Sequence, residues 1–171
     1  MMKPPLILTT LRLDKHDFNY FNSLRQKYFP AERNFIDAHL TLFHALANEL
    51  TVTNTVKEIC GHQSSFVITV KALVSIGNGV AFTIESQELM QLHKSLQNKW
   101  LEFLSNQDKQ KLWPHITIQN KVPVNEAKCV LNELQKNFKP FFLPAKGLQL
   151  WEYLNGPWRF VDEFLFDAKF T

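Results

Sequence analysis

The chain has 171 residues, a mass of 20.0 kDa and 45% apolar residues, enough for one core of ordinary size; a disordered tail, a collagen-like fibre and a small disulfide scaffold are excluded. Nineteen Lys plus Arg against sixteen Asp plus Glu leave a formal charge of +3, too slight for the basic face of sequence-independent nucleic-acid binding, so an anionic ligand must be held locally. Cys60 and Cys129 lie far apart without CxxC spacing, and no apolar run reaches the ~18 residues of a membrane span, which points to a cytoplasmic, reducing setting.

Met1 to Leu13 makes a poor secretory signal and a good first strand, over residues 5–12 (PLILTTLR). Phe18, Phe21 and Leu24 then recur every three residues through a helix from Lys15 to Tyr28, closed by Pro30. DAHLTLFH (37–44) is strand-like. A weaker helix from about Asn54 carries Val56, Ile59 and Cys60 and is stopped by Gly61. Phe66, Ile68, Val70 and Ala72 alternate through a strand ending at the turn Gly77-Asn78-Gly79, and VAFTIE (80–85) is its hairpin partner.

Ser86 caps a long helix whose Leu89, Leu92, Leu96, Trp100 and Leu104 share one face. WPHITIQNKV (113–122) is again strand-like, and Asn125 caps a helix with Val130, Leu131 and Leu134 inward. Strands near 141–153 and 158–166 follow, joined at Asn155-Gly156, a strong hairpin signal.

The two halves share one order: strand, helix, strand carrying His-x-Thr, helix, strand. His39 and His115 stand 76 residues apart, and that offset maps the elements of one half onto the other within a few residues. The expectation is one bilobal domain over 1–171, built by internal duplication. Two pseudo-symmetric lobes of antiparallel sheet with outer helices would enclose a central cleft, an α+β arrangement.

His39-Leu40-Thr41-Leu42 and His115-Ile116-Thr117-Ile118 both read His-apolar-Thr-apolar. On a strand each His and its Thr share a face while the apolar residues enter the core. A chain of this composition would carry two such segments by chance only roughly a few times in a thousand. A histidine titrates near neutrality, so a pair can supply one general base and one general acid. Two threonine hydroxyls can grip the non-bridging oxygens of a phosphodiester as charge builds at phosphorus. This set suits in-line opening of a cyclic phosphate without a metal or other cofactor.

The paired HLTL and PHITI segments, with their spacing and duplicated order, resemble the two-histidine (2H) phosphoesterase superfamily, which includes the bacterial 2'-5' RNA ligases, also known as RNA 2',3'-cyclic phosphodiesterases. The tail LWEYLNGPWRFVDEFLF resembles the closing hairpin of small bacterial members. The resemblance implies His39 and His115 as catalytic pair and Thr41 and Thr117 as phosphate-binding pair. It also implies a hydrolase acting on an RNA end or cyclic nucleotide, with 2'-5' ligation as the same chemistry reversed. One departure is Ala38 before the first His, where many members carry Pro; Pro114 keeps it at the second motif.

Around these four, parity along the strands assigns Phe43, Trp113, Gln119 and Lys121 to the catalytic faces as substrate-binding candidates and sends His44 to the other side. Arg12, Arg25 and Arg33 are further candidate cations. Phe82, Trp151 and Tyr153 are further candidate stacking rings. His16 and His93 read as surface residues. Cys60-Gly61-His62 lacks the paired spacing of a zinc site, so no metal is expected. Nothing in the chain calls for an obligate protein partner, and a monomer is expected. A non-catalytic nucleotide-binding module on the same fold is the alternative.

Overall fold

The computed structural model describes residues 5–9 and 12–167. In chain order these form β1 (Leu6–Thr9), α1 (Lys15–Tyr28), a 3-10 turn (Ala31–Arg33), β2 (Thr41–Leu46), α2 (Leu50–His62), β3 (Phe66–Ser75) and β4 (Val80–Glu85). There follow α3 (Gln87–Trp100), β5 (His115–Gln119), α4 (Val124–Gln135), β6 (Phe141–Ala145), β7 (Gly147–Tyr153) and β8 (Trp158–Leu165). Residues 10 and 11 of the expected first strand lie outside the described residues.

The strands form two four-stranded sheets, in the orders β2-β1-β7-β8 and β5-β4-β3-β6, with every pairing antiparallel. With their helices these make the expected α+β, two-lobed fold. Neither sheet is drawn from one half of the chain. β3 follows α2 yet pairs with β4, whereas β7, which follows β6, pairs with β1, so each half of the chain lends a strand to the sheet that holds the first strand of the other. One core cluster accordingly runs through both lobes, from Leu42 and Leu150 of the first sheet to Ile68, Phe82 and Ile116 of the second.

The helices form where apolar spacing gives them a face to bury. In α3 the Ser86 side chain accepts the Leu89 N–H at 3.2 Å, the expected N-cap, and Leu89, Leu92, Leu96 and Trp100 are buried. His93 is buried too, against expectation. It is one turn beyond Leu89, on the inner face, and its ring stacks on Phe43 at 4.5 Å. α2 begins a turn earlier than expected and runs through Gly61, because Val52 extends the inward row of Val56 and Cys60. α4 starts at Val124 behind an N-cap Pro123, so Asn125 lies in its first turn.

The segment 141–153 is two strands in different sheets. β6 closes the second sheet against β3, and the chain crosses at Lys146, whose N–H donates to the Arg12 carbonyl at 3.1 Å. Gly147 makes the crossing possible, since a Cβ there would stand 2.4 Å from the Phe164 carbonyl oxygen. The β7–β8 hairpin turns at Asn155 and Gly156, with φ of 59° and 154°, as the dipeptide implies.

Candidate active site

β2 and β5 are the equivalent outer edges of the two sheets. His39 sits two residues before β2, and His115 opens β5. Leu40, Leu42, Ile116 and Ile118 are buried and anchor both segments, which leaves His39, Thr41, His115 and Thr117 half-buried on the other face.

The two imidazoles are held in the same way. Nδ1 of His39 lies 2.7 Å from the Asp37 carbonyl oxygen, and Nδ1 of His115 lies 2.8 Å from that of Trp113. A carbonyl oxygen only accepts, so each Nδ1 donates its proton there and each neutral ring keeps its lone pair on Nε2, away from the main chain. Each ring is also covered by a tryptophan: Trp158 tilts over His39 at 4.6 Å, and Trp113 stacks on His115 at 4.2 Å. Burial pushes His39 down to about 4, outweighing the Asp37 carbonyl that favours its protonation; the charges of Arg25, His115 and His44 push the same way. The repulsion between His39 and His115 puts both imidazoles in one electrostatic site.

Arg25 is the brace between the motifs. Its side chain is buried and lies over the Phe29 ring at 4.2 Å. Nε donates to Asn34 Oδ1 at 2.8 Å and to the Ile36 carbonyl at 2.9 Å, while Nη1 donates to the Thr117 carbonyl at 2.8 Å. One guanidinium thus ties the loop before His39 to the strand carrying Thr117. Burial lowers it to about 10, partly offset by nearby Asp37. Its hydrogen bonds all end on the protein, so it is a positioning residue; as a candidate cation for substrate it is corrected. Ala38 belongs to the same framework. Its N–H donates to Asn22 Oδ1 at 3.0 Å, a bond that a proline there could not make.

The loop from 101 to 114 carries Trp113 and is fastened by Asp108. This buried carboxylate accepts from the His44 and Ala45 backbone N–H groups of β2 at 2.8 and 3.0 Å and from the Ser105 hydroxyl at 2.9 Å. Gln97 of α3 holds the same loop through the carbonyls of Asp108 and Gln110 at 3.0 and 3.1 Å.

Of the outer candidates, Trp113 lies at the site, 51% exposed. Phe43 does not. Thr41, Phe43 and Leu46 of β2 face Thr9, Leu8 and Leu6 of β1, so β2 carries an extra residue at two places and alternation is lost. Leu42 and Phe43 are therefore both buried, and the Phe43 ring meets His93 and Trp100. A bulge also misplaces Gln119. Thr117 faces Ala81 while Gln119 faces Val80, and Gln119 is buried with its Nε2 donating to Glu126 at 3.5 Å. Lys121 is exposed beyond the strand end with φ of 63°, so strand parity does not reach it. Arg33 is exposed in the 3-10 turn, and Phe82 is a core ring packed on Phe21 at 5.2 Å. Tyr153 sits exposed at the hairpin end.

Arg12 and Trp151 line a cavity beside His39, together with Trp158, which parity arguments passed over. Its position in the closing hairpin was the available signal. Among the described residues no three His, Cys, Asp or Glu side chains converge in a way that could hold a metal ion. No described helix is long and apolar enough to cross a membrane.

The fold is shared with proteins of known structure. The structure of TT0787 of Thermus thermophilus superposes with a TM-score of 0.68 at 15% identity, covering 97% of this chain and 100% of that one. E. coli LigT in its apo form gives 0.62 at 16% identity, covering 96% and 98%. LigT complexed with 3'-AMP gives 0.59 at 15% identity, covering 95% and 98%. No curated relative matches the chain. The family model of the 2'-5' RNA ligase superfamily matches residues 13–157, a span that contains both His-x-Thr segments, the Arg25 brace and the Asp108 loop; the chain belongs to that superfamily of two-histidine phosphoesterases.

Proposed function

We propose that this protein is a metal-independent phosphodiesterase that opens 2',3'-cyclic phosphates at RNA ends or on nucleotides. The observation that carries the reading is the matched pair of imidazoles, each with Nδ1 committed to a carbonyl and Nε2 left for proton transfer. Neutral at physiological pH because it is buried, His39 takes a proton from water as the water oxygen bonds to phosphorus. His115 acts in its doubly protonated form and gives its Nε2 proton to the ribose oxygen that leaves, so one P–O bond forms and one breaks. Thr41 and Thr117 donate their hydroxyls to the non-bridging oxygens, where negative charge gathers. Run in reverse on a 2'-5' linkage, the same groups would perform ligation.

The test is ring opening of 2',3'-cyclic nucleotides and of a short RNA ending in a cyclic phosphate, in excess chelator, across pH 5 to 9. The wild type should turn over with a bell-shaped profile. His39→Ala and His115→Ala should each lose about 10²–10⁴-fold. Wild-type turnover in either variant would overturn the assignment, and no opening with nucleotide still bound would favour a binding module instead.

A further inference from the structure

The two imidazoles are held by carbonyls alike but are walled differently. His39 takes its indole from Trp158 of the closing hairpin. His115 opens β5 on the outer edge of its sheet, with no strand beyond it. Across the ladder on β4 it faces Thr83, whose hydroxyl is already donated to the Ala72 carbonyl at 3.4 Å. Among the described residues, the hydrogen bond and the ring contact of this imidazole both come from Trp113. Its carbonyl accepts from Nδ1 at 2.8 Å, and its indole stacks at 4.2 Å, 26° from parallel.

The burial pattern explains how one residue supplies both. From Lys111 to Ile118 exposure alternates, with Lys111, Trp113, His115 and Thr117 the more exposed and Leu112, Pro114, Ile116 and Ile118 the more buried. The chain is therefore already extended upstream of β5, and residues two apart share a face. Trp113 is itself anchored on both sides. Leu112 packs against the core, the Pro114 carbonyl accepts the Ile84 N–H at 3.0 Å, and Asp108 and Gln97 fasten the loop before it. The residue in the same place before His39 is Asp37, which gives a carbonyl but no ring.

We infer that Trp113 is a positioning residue, which holds His115 in the one orientation that aims Nε2 at the leaving oxygen and so acts through His115 rather than on the substrate. This rests on the phosphodiesterase reading of the site. A hydrogen bond at a half-buried position and an aromatic pair each contribute modestly, so the orientation depends on both. The stack also survives the second proton on His115, since an indole face attracts a cation. A misaimed ring slows proton transfer without changing what holds the substrate.

The test measures kcat and KM of the wild type, Trp113→Leu and Trp113→Phe on 2',3'-cyclic AMP and on glycerol 1,2-cyclic phosphate, which has no base. Trp113 is 51% exposed, so both variants should fold. Trp113→Leu should lower kcat on both substrates by the same factor, roughly two- to tenfold for one lost aromatic pair, with KM unchanged, and Trp113→Phe should restore most of it. Nitrogen-15 NMR of neutral His115 reads the orientation without turnover: one tautomer, protonated on Nδ1, in the wild type and a mixture in Trp113→Leu. A raised KM for the cyclic nucleotide, with the glycerol substrate unaffected, would make Trp113 a base contact and overturn the positioning role. Wild-type kcat in Trp113→Leu would overturn it too. If the wild type opens neither substrate, the phosphodiesterase reading falls and the tautomer decides alone: a mixture in Trp113→Leu supports positioning, and an unchanged tautomer overturns it.

Discussion

Replacing Arg25 by methionine keeps a long apolar stem in place and removes three donated hydrogen bonds, to Asn34, Ile36 and Thr117. Bonds from a charged donor contribute roughly 1.5–3 kcal/mol each, and the half-buried Ile36 and Thr117 carbonyls both lose this donor. Against this stands the cost of burying the guanidinium. Its fall to about 10 corresponds to roughly 3 kcal/mol that the variant regains. The balance is a loss of about 3 kcal/mol. With a urea slope near 2 kcal/mol/M for a domain of this size, the unfolding midpoint should drop by about 1.5 M. Turnover on a cyclic nucleotide, measured where the variant is still folded, should fall as well, because the loop before His39 and the Thr117 strand lose their common tie. Arg25→Lys should not rescue either property, since an ammonium lacks the planar fork that serves three acceptors. A midpoint within about 0.3 M of wild type, with wild-type turnover, would refute the bracing role.

Two further outcomes follow from the electrostatics. Because burial holds His39 at about 4, the unfolded chain takes up a proton there between pH 6.5 and 4 that the native state refuses, so stability should fall as pH drops through that window. The drop should be smaller by roughly 2 kcal/mol in His39→Gln; urea midpoints at pH 7 and 4.5 measure it, and equal drops in both proteins would reject the idea. For Asp108, burial alone would raise its pKa, but the bonds from His44, Ser105 and Ala45 outweigh it and lower the value. Its contribution is therefore present above the ordinary carboxylate range and lost as pH falls through the lowered value. Asp108→Asn should cost about 1–3 kcal/mol near pH 7 and increase proteolysis between 101 and 114; an unchanged midpoint and cleavage rate would argue against Asp108 as the fastening of that loop.

Much of this molecule was legible before any tertiary structure. Local signals held: Ser86 at the start of α3, the Asn155-Gly156 turn, and α1 from Lys15 to Tyr28 depend on neighbours a few residues away. The His-x-Thr pairs were legible for the same reason, since alternation along a short strand segment assigns His, Thr and the buried Leu or Ile without reference to the rest of the chain. What parity could not carry was any step past a bulge. The extra residues in β2 and β5 arise from the register against β1 and β4, which are distant in sequence. That is why Phe43 and Gln119 turned inward.

The sequence by itself thus determined most of the elements and the place of the two His-x-Thr segments on strands, because each depends on short-range periodicity and side-chain chemistry. Only the tertiary structure decided the exchange of β3 and β7 between sheets, the burial of His93, the bracing by Arg25 across both motifs and the meeting of Trp158 with His39. Each of these joins parts of the chain through packing and register. The physical reason is that such contacts are selected by the whole core at once, through the volume and polar partners available at each position, and no local pattern encodes which distant strand supplies them.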